Sequence, residues 1–122
     1  MSDADMCDAI GAVGIERGLM YACHHGGRIF DPTVWPNVDL AAHEYDVSGN
    51  THDTDGFINH FFEKLLKLKG LMLTEPGRIE AGKRQHVMVG FLRAYFREKN
   101  APEWSEFLEG YLLDITKAND LQ

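Results

Sequence analysis

The side chains able to hold a cation crowd the front of this chain. Residues 1–56 carry ten acids and two bases, a balance of −8, together with four of the six histidines, His24, His25, His43 and His52. Carboxylates are hard metal ligands and imidazole is a borderline one. The chemistry to look for in this half is therefore a divalent cation that activates water. Each group also has a plain structural meaning. Asp3 and Asp5 fall in the first turn of a helix that Ser2 can cap, where negative charge suits the helix dipole. His24 and His25 are neighbours on an extended segment, so their side chains point apart and read more simply as polar surface. The two cysteines, Cys7 and Cys23, lack the short spacing of a zinc site and read as two reduced, partly buried thiols. No Gly-rich phosphate loop, nucleophile elbow or zinc motif is present, and no residue stands out as catalytic.

The elements that would position these groups are those of one domain. The chain has 122 residues, of which 44% are hydrophobic and 25% charged, ordinary values for a globular protein with its own core. Its net charge of −7 speaks against a nucleic-acid backbone as partner, because phosphate chains are met by clustered Lys and Arg. The apolar runs are only a few residues long, which excludes a membrane-spanning helix and predicts no membrane partner. The opening residues Met1-Ser2-Asp3-Ala4-Asp5 show neither a basic nor an apolar leader segment, and the expected location is the cytoplasm.

The pattern predicts an all-α fold of about four main helices. The first covers residues 1–22, with Ile10, Val13, Ile15, Leu19 and Met20 as its apolar surface and Gly11, Gly14 and Gly18 as a small face for close packing. Residues 23–56 carry turn residues throughout and read as one long loop, with a short helical turn near Leu40-Ala41-Ala42. Three helices follow over residues 57–117, leaving a tail at 118–122. The first has Phe57, Ile58, Phe61, Phe62, Leu65, Leu66 and Leu68 on one face and breaks or frays at Gly70. Thr74 caps the second, with Pro76 in its first turn and Ile79, Val87, Phe91, Leu92, Tyr95 and Phe96 inward. After Asn100-Ala101-Pro102, the third places Trp104, Phe107, Leu108, Tyr111, Leu112 and Ile115 on one stripe.

Four stretches in order resemble a known family. Asp3-Ala4-Asp5-Met6-Cys7-Asp8-Ala9-Ile10-Gly11-Ala12-Val13-Gly14-Ile15 is similar to the D-A-D-R-L-D-A-I-G-A-x-G-I segment of the HD-domain metal-dependent phosphohydrolases. Gly27-Arg28-Ile29-Phe30-Asp31-Pro32 is similar to their G-R-x-[YF]-D-P loop. Residues 58–69 resemble I-N-H-F-Y-E-K-L-L-K-L-K. Gly77, Arg78, Ala81, Arg84, Met88, Phe91 and Leu92 fit the helix that follows. The resemblance covers residues 2 to about 104 and implies the C-terminal half of an HD domain. In that family two histidines and two aspartates hold a divalent metal such as Mn, Mg or Co. The D-A-D segment carries the last ligand, here Asp5 with Asp3 as the alternate. Arg28, His60, Lys64, Lys67 and Arg84, with Arg78, are the candidates for a phosphate-binding surface, against a solvated helical face and, for His60, a satisfied half-buried imidazole.

The departures matter as much. The first His and the His-Asp pair of the family precede D-A-D, and only Met1 and Ser2 precede it here; His24 and His25 come after. Met6-Cys7 replaces Arg-Leu, and Gly70 stands where an Asp is usual. The resulting expectation is a truncated or degenerate HD protein. It would not be catalytic alone and would need no cofactor, acting as a binding or oligomerisation module. A second copy or a partner protein would cover helix 1, whose small face lacks the helices it meets in a whole HD domain. The alternative is a metal-dependent phosphohydrolase for nucleotides or small phosphoesters, its site completed by another chain or by new ligands.

Overall fold

A computed structural model describes residues 2–38 and 56–120. Among them are five α-helices, α1 (Asp3–Cys7), α2 (Gly11–His24), α3 (Phe57–Glu63), α4 (Glu75–Glu98) and α5 (Pro102–Asp120), with a 3₁₀ helix (Leu65–Leu71) after α3. The class is all-α, and the sole β feature among the described residues is an isolated bridge between Arg28 and Gly56. The short turn expected near Leu40, with His43 and His52, lies outside the described residues. No helix among the described residues is long and apolar enough to cross a membrane.

The 24-residue α4 is the spine, and α1, α2, the 3₁₀ helix and α5 all pack on it. Its start is set by Thr74, whose Oγ1 accepts from Gly77 N–H (3.1 Å), with Pro76 in the first turn. Its end is set by Asn100, which adopts a left-handed φ of 53° while Ala101 N–H reaches back to the Phe96 carbonyl (2.9 Å). Pro102 then opens α5. The core between α3, α4 and α5 is aromatic: Phe61, Phe62, Phe96 and Trp104 are fully buried, beside Leu66, Leu68, Met88, Leu92 and Leu108.

Four expectations are corrected. The helix predicted over 1–22 is two helices, because Ile10 is extended and Gly11 takes a φ of +80°, turning the chain through a sharp elbow. A Cβ at Gly11 would come within 2.8 Å of the Arg84 stem, so this glycine serves both the backbone angle and the close approach. The small face of the first helix is also covered from within this chain. Gly11 and Gly14 are buried, and Gly18 lies against Phe57. What α2 leaves open is the opposite side, with Val13 57% and Met20 65% exposed. On α4, Ile79 and Val87 face outward rather than inward. The α3 helix stops at Glu63 instead of continuing to Gly70, because Lys64 (φ −140°, ψ −57°) tightens the chain into 3₁₀ form.

Candidate functional site

The cleft that stands out among the described residues lies between α2 and α3. It has a volume of about 150 Å³. Gly18, Ala22 and Phe57 line it with apolar surface, and its polar groups are Arg17, Tyr21, His25, His60 and Glu63. Arg17 and Tyr21 sit one turn apart on α2, and His60 and Glu63 one turn apart on α3, so helical spacing alone aims each pair at the same space. The fourth wall is the backbone at Gly27 and Gly56, drawn together where Phe57 N–H donates to the Arg28 carbonyl (2.7 Å) and Ile58 N–H to the Ile29 carbonyl (3.0 Å).

One guanidinium, Arg17, and one carboxylate, Glu63, line the cleft, so an anion would be met on the Arg17 side. Arg17 is exposed and makes no hydrogen bond or ion pair among the described residues, so its guanidinium fork is available to a phosphate or carboxylate. The C-terminal carbonyls of α2 would repel an anion if bare, but they are occupied: His25 N–H donates to Tyr21 O (3.0 Å) and Gly27 N–H to Ala22 O (2.8 Å). The His25 and Tyr21 rings lie 4.0 Å apart and are inclined at 55°, so the rim carries two angled aromatic faces. Glu63 is fully buried, and its Oε2 accepts from Asn37 N–H at 2.8 Å.

The two aspartates expected as metal ligands stand elsewhere, and Asp3 is committed to structural hydrogen bonds. Asp3 ties α1 to the start of α4. Its Oδ1 accepts from Leu73 N–H (2.9 Å), and its Oδ2 accepts from Thr74 N–H (2.8 Å) and the Thr74 hydroxyl (2.6 Å). These bonds, the Thr74 hydroxyl foremost, hold its carboxyl below the ordinary value. A carboxylate with three protein donors on its two oxygens has little capacity left for a cation. Asp5 is exposed and accepts from the Ser2 hydroxyl (2.9 Å), while Ser2 caps α1 through Asp5 N–H (3.2 Å). Among the described residues, no three His, Cys, Asp or Glu side chains gather as a metal-binding group. One His-Asp dipeptide, His52-Asp53, does stand in the sequence, but after Asp5, and it lies outside the described residues.

The basic candidates are dispersed. His60 alone enters the cleft. Arg84 is a clamp: its Nε bonds Glu80 Oε2 (2.8 Å) and its guanidinium also bonds the Cys7 carbonyl, closing the α1–α2 elbow. Lys67 Nζ donates to the Val38 carbonyl (2.8 Å), and Lys64 is buried at the end of α3. Arg28 contributes its backbone to the cleft wall, and Arg78 reaches toward the Met72 carbonyl (3.5 Å). The residues missed from the sequence are Arg17, Tyr21 and Glu63. The available signal was the four-residue spacing of Arg17 and Tyr21 and the three-residue spacing of His60 and Glu63, each pair on one helix, but no spacing within a helix says that the two pairs face each other.

No protein-family model matches the chain. It is 34% identical over 102 residues to the uncharacterized protein YpgQ of Bacillus subtilis strain 168, covering 84% of this chain and 38% of that protein. The crystal structure of YpgQ in complex with ADP superposes with a TM-score of 0.57 at 32% identity, over 79% of this chain and 41% of that one. An HD-superfamily hydrolase from Bacillus thuringiensis gives 0.64 at 38% identity, and a Lactobacillus plantarum protein 0.66 at 40%, each over 81% of this chain and 44% of theirs. The chain thus spans about two fifths of the length of these relatives.

Proposed function

From a chain that resembles part of an HD-superfamily hydrolase in fold and in sequence, we propose a ligand-binding and docking module that is not catalytic alone. The observation that carries this reading is the division of labour just described. Asp3 and Arg84 are tied into structure, whereas Arg17, His25 and His60 converge with Tyr21 on a cleft that suits a phosphate attached to a planar group. The YpgQ crystal with ADP supports a nucleoside diphosphate as the first ligand to try. The docking face is the outer side of α2, where Val13 and Met20 await a second copy or a partner protein.

Titration calorimetry with ADP and with inorganic pyrophosphate tests the cleft. Binding is expected in the intact chain and is expected to weaken about tenfold in Arg17→Ala, the loss of one charge-assisted contact. Equal affinity in the two proteins, or none in either, would refute it.

The hydrolase relative and the His52-Asp53 dipeptide favour a second reading. In it the chain is a metal-dependent phosphohydrolase for nucleotides or small phosphoesters, and new ligands or another chain complete the set. Phosphate release from a nucleotide panel with Mn²⁺, Co²⁺ or Mg²⁺, lost in both Asp5→Ala and Asp53→Ala, would replace the first reading with this one.

A further inference from the structure

Residues Asp31–Val38 begin with a turn, in which Val34 N–H donates to Asp31 O (3.0 Å), and then lie against α3 and α5 as a strap whose holding side chains are regularly placed. Asn59, Glu63 and Lys67, at successive intervals of four, meet its backbone in order: Asn59 Nδ2 donates to Val34 O, Glu63 Oε2 accepts from Asn37 N–H, and Lys67 Nζ donates to Val38 O, each at 2.8 Å. At the start of the strap, Asp31 accepts from Thr33 N–H (2.9 Å) and the Thr33 hydroxyl (2.6 Å). On the α5 side, Trp35 stacks on Trp104 with centroids 4.2 Å apart and planes 8° apart, and Trp104 Nε1 donates to Pro32 O (3.3 Å).

Two features connect this strap to the cleft. It follows directly on residues 27–30, of which Gly27 forms part of the cleft wall. Its middle hangs on Glu63, which lines the cleft and is fully buried. Losing a hydrogen-bond partner is costly for a buried carboxylate, so a shift of Glu63 is coupled energetically to Asn37. Trp35 by contrast is 44% exposed and rests on its neighbour by stacking, so the strap's outer hold is the weaker one.

We propose that the strap Asp31–Val38 is a latch whose closure is linked to occupation of the cleft, with Glu63 as the joint between them. The linkage rests on the ligand-binding reading given above. It is reciprocal: a ligand that packs against Gly27, His60 and Glu63 tightens the strap, and a loosened strap lowers affinity at a cleft it does not line.

The test uses the whole chain and inorganic pyrophosphate. Calorimetry compares the wild type with Trp35→Ala and with Trp35→Phe, which keeps a ring against Trp104. Amide exchange follows Asn37 N–H with and without saturating pyrophosphate, and Leu92 N–H in the core serves as reference. The expected result is about fivefold weaker binding in Trp35→Ala, recovery in Trp35→Phe, and about fivefold slower exchange at Asn37 with none at Leu92. Pyrophosphate binding that is the same in all three proteins, with Asn37 exchange unchanged, would overturn the latch and leave the cleft standing. No pyrophosphate binding by the wild type would overturn both.

Discussion

Asp3 shows how one side chain can exchange a chemical role for a structural one. Three protein donors converge on its carboxylate, and they hold its pKa below the ordinary value. A group whose folded pKa is depressed adds stability above the unfolded pKa and withdraws it as pH falls through the folded one. The wild type is therefore expected to lose stability on acidification below about pH 4 more steeply than Asp3→Ala. Asp3→Ala should melt a few degrees lower at neutral pH, as for a lost helix cap; coincident melting curves from pH 3 to 7 would count against this. The cysteines divide in the same way. Cys7 is buried, and desolvation pushes its thiol pKa up, whereas Cys23 is exposed. A thiol reagent should modify one cysteine rapidly in the native protein and the second only on unfolding, with Cys23→Ser abolishing the fast phase.

Packing decides the elements where local preference leaves them open. The D-A-D-x-x-D-A-I-G run reads as one continuous helix, yet it folds as α1, an elbow and α2, because Arg84 bonds the Cys7 carbonyl and lays its stem against Gly11. Gly11→Ala is expected to cost about 2 kcal/mol, the sum of a left-handed backbone and a forced shift of Arg84, measurable by urea denaturation. A cost no larger than that of Gly90→Ala, where a Cβ meets open space, would contradict the account. The helices were legible in their caps and stripes: Thr74 and Pro76 at the start of α4, Asn100 at its end, and Trp104, Leu108 and Tyr111 as the buried stripe of α5. The outward turn of Ile79 and Val87 was not, because an apolar residue on a helix does not say whether a neighbour is there to cover it. The change to 3₁₀ form at Lys64 was equally hidden, since Leu65, Leu66 and Leu68 satisfy either helix in a buried setting.

At the scale of the whole molecule, the buried aromatic cluster and the open face of α2 pull in different directions. Trp104 joins Phe30, Trp35, Phe62, Phe96 and Phe107 in one network, so Trp104→Ala should remove about 3–5 kcal/mol and release the strap. The α2 face carries Val13 and Met20 with nothing over them among the described residues. Light scattering is expected to find a complex of two or more chains that Met20→Lys dissociates. An unchanged mass in that variant would move the contact away from α2.

Caps, turn residues and apolar periodicity act over one or two turns of chain, so the order of residues was enough for the all-α class, the limits of α4 and the likeness to part of an HD hydrolase. Which charged residues are available was set by long-range packing. Asp3 and Arg84 became struts and Arg17 and His60 became neighbours through contacts between residues far apart in the chain, and no local spacing encodes those distances.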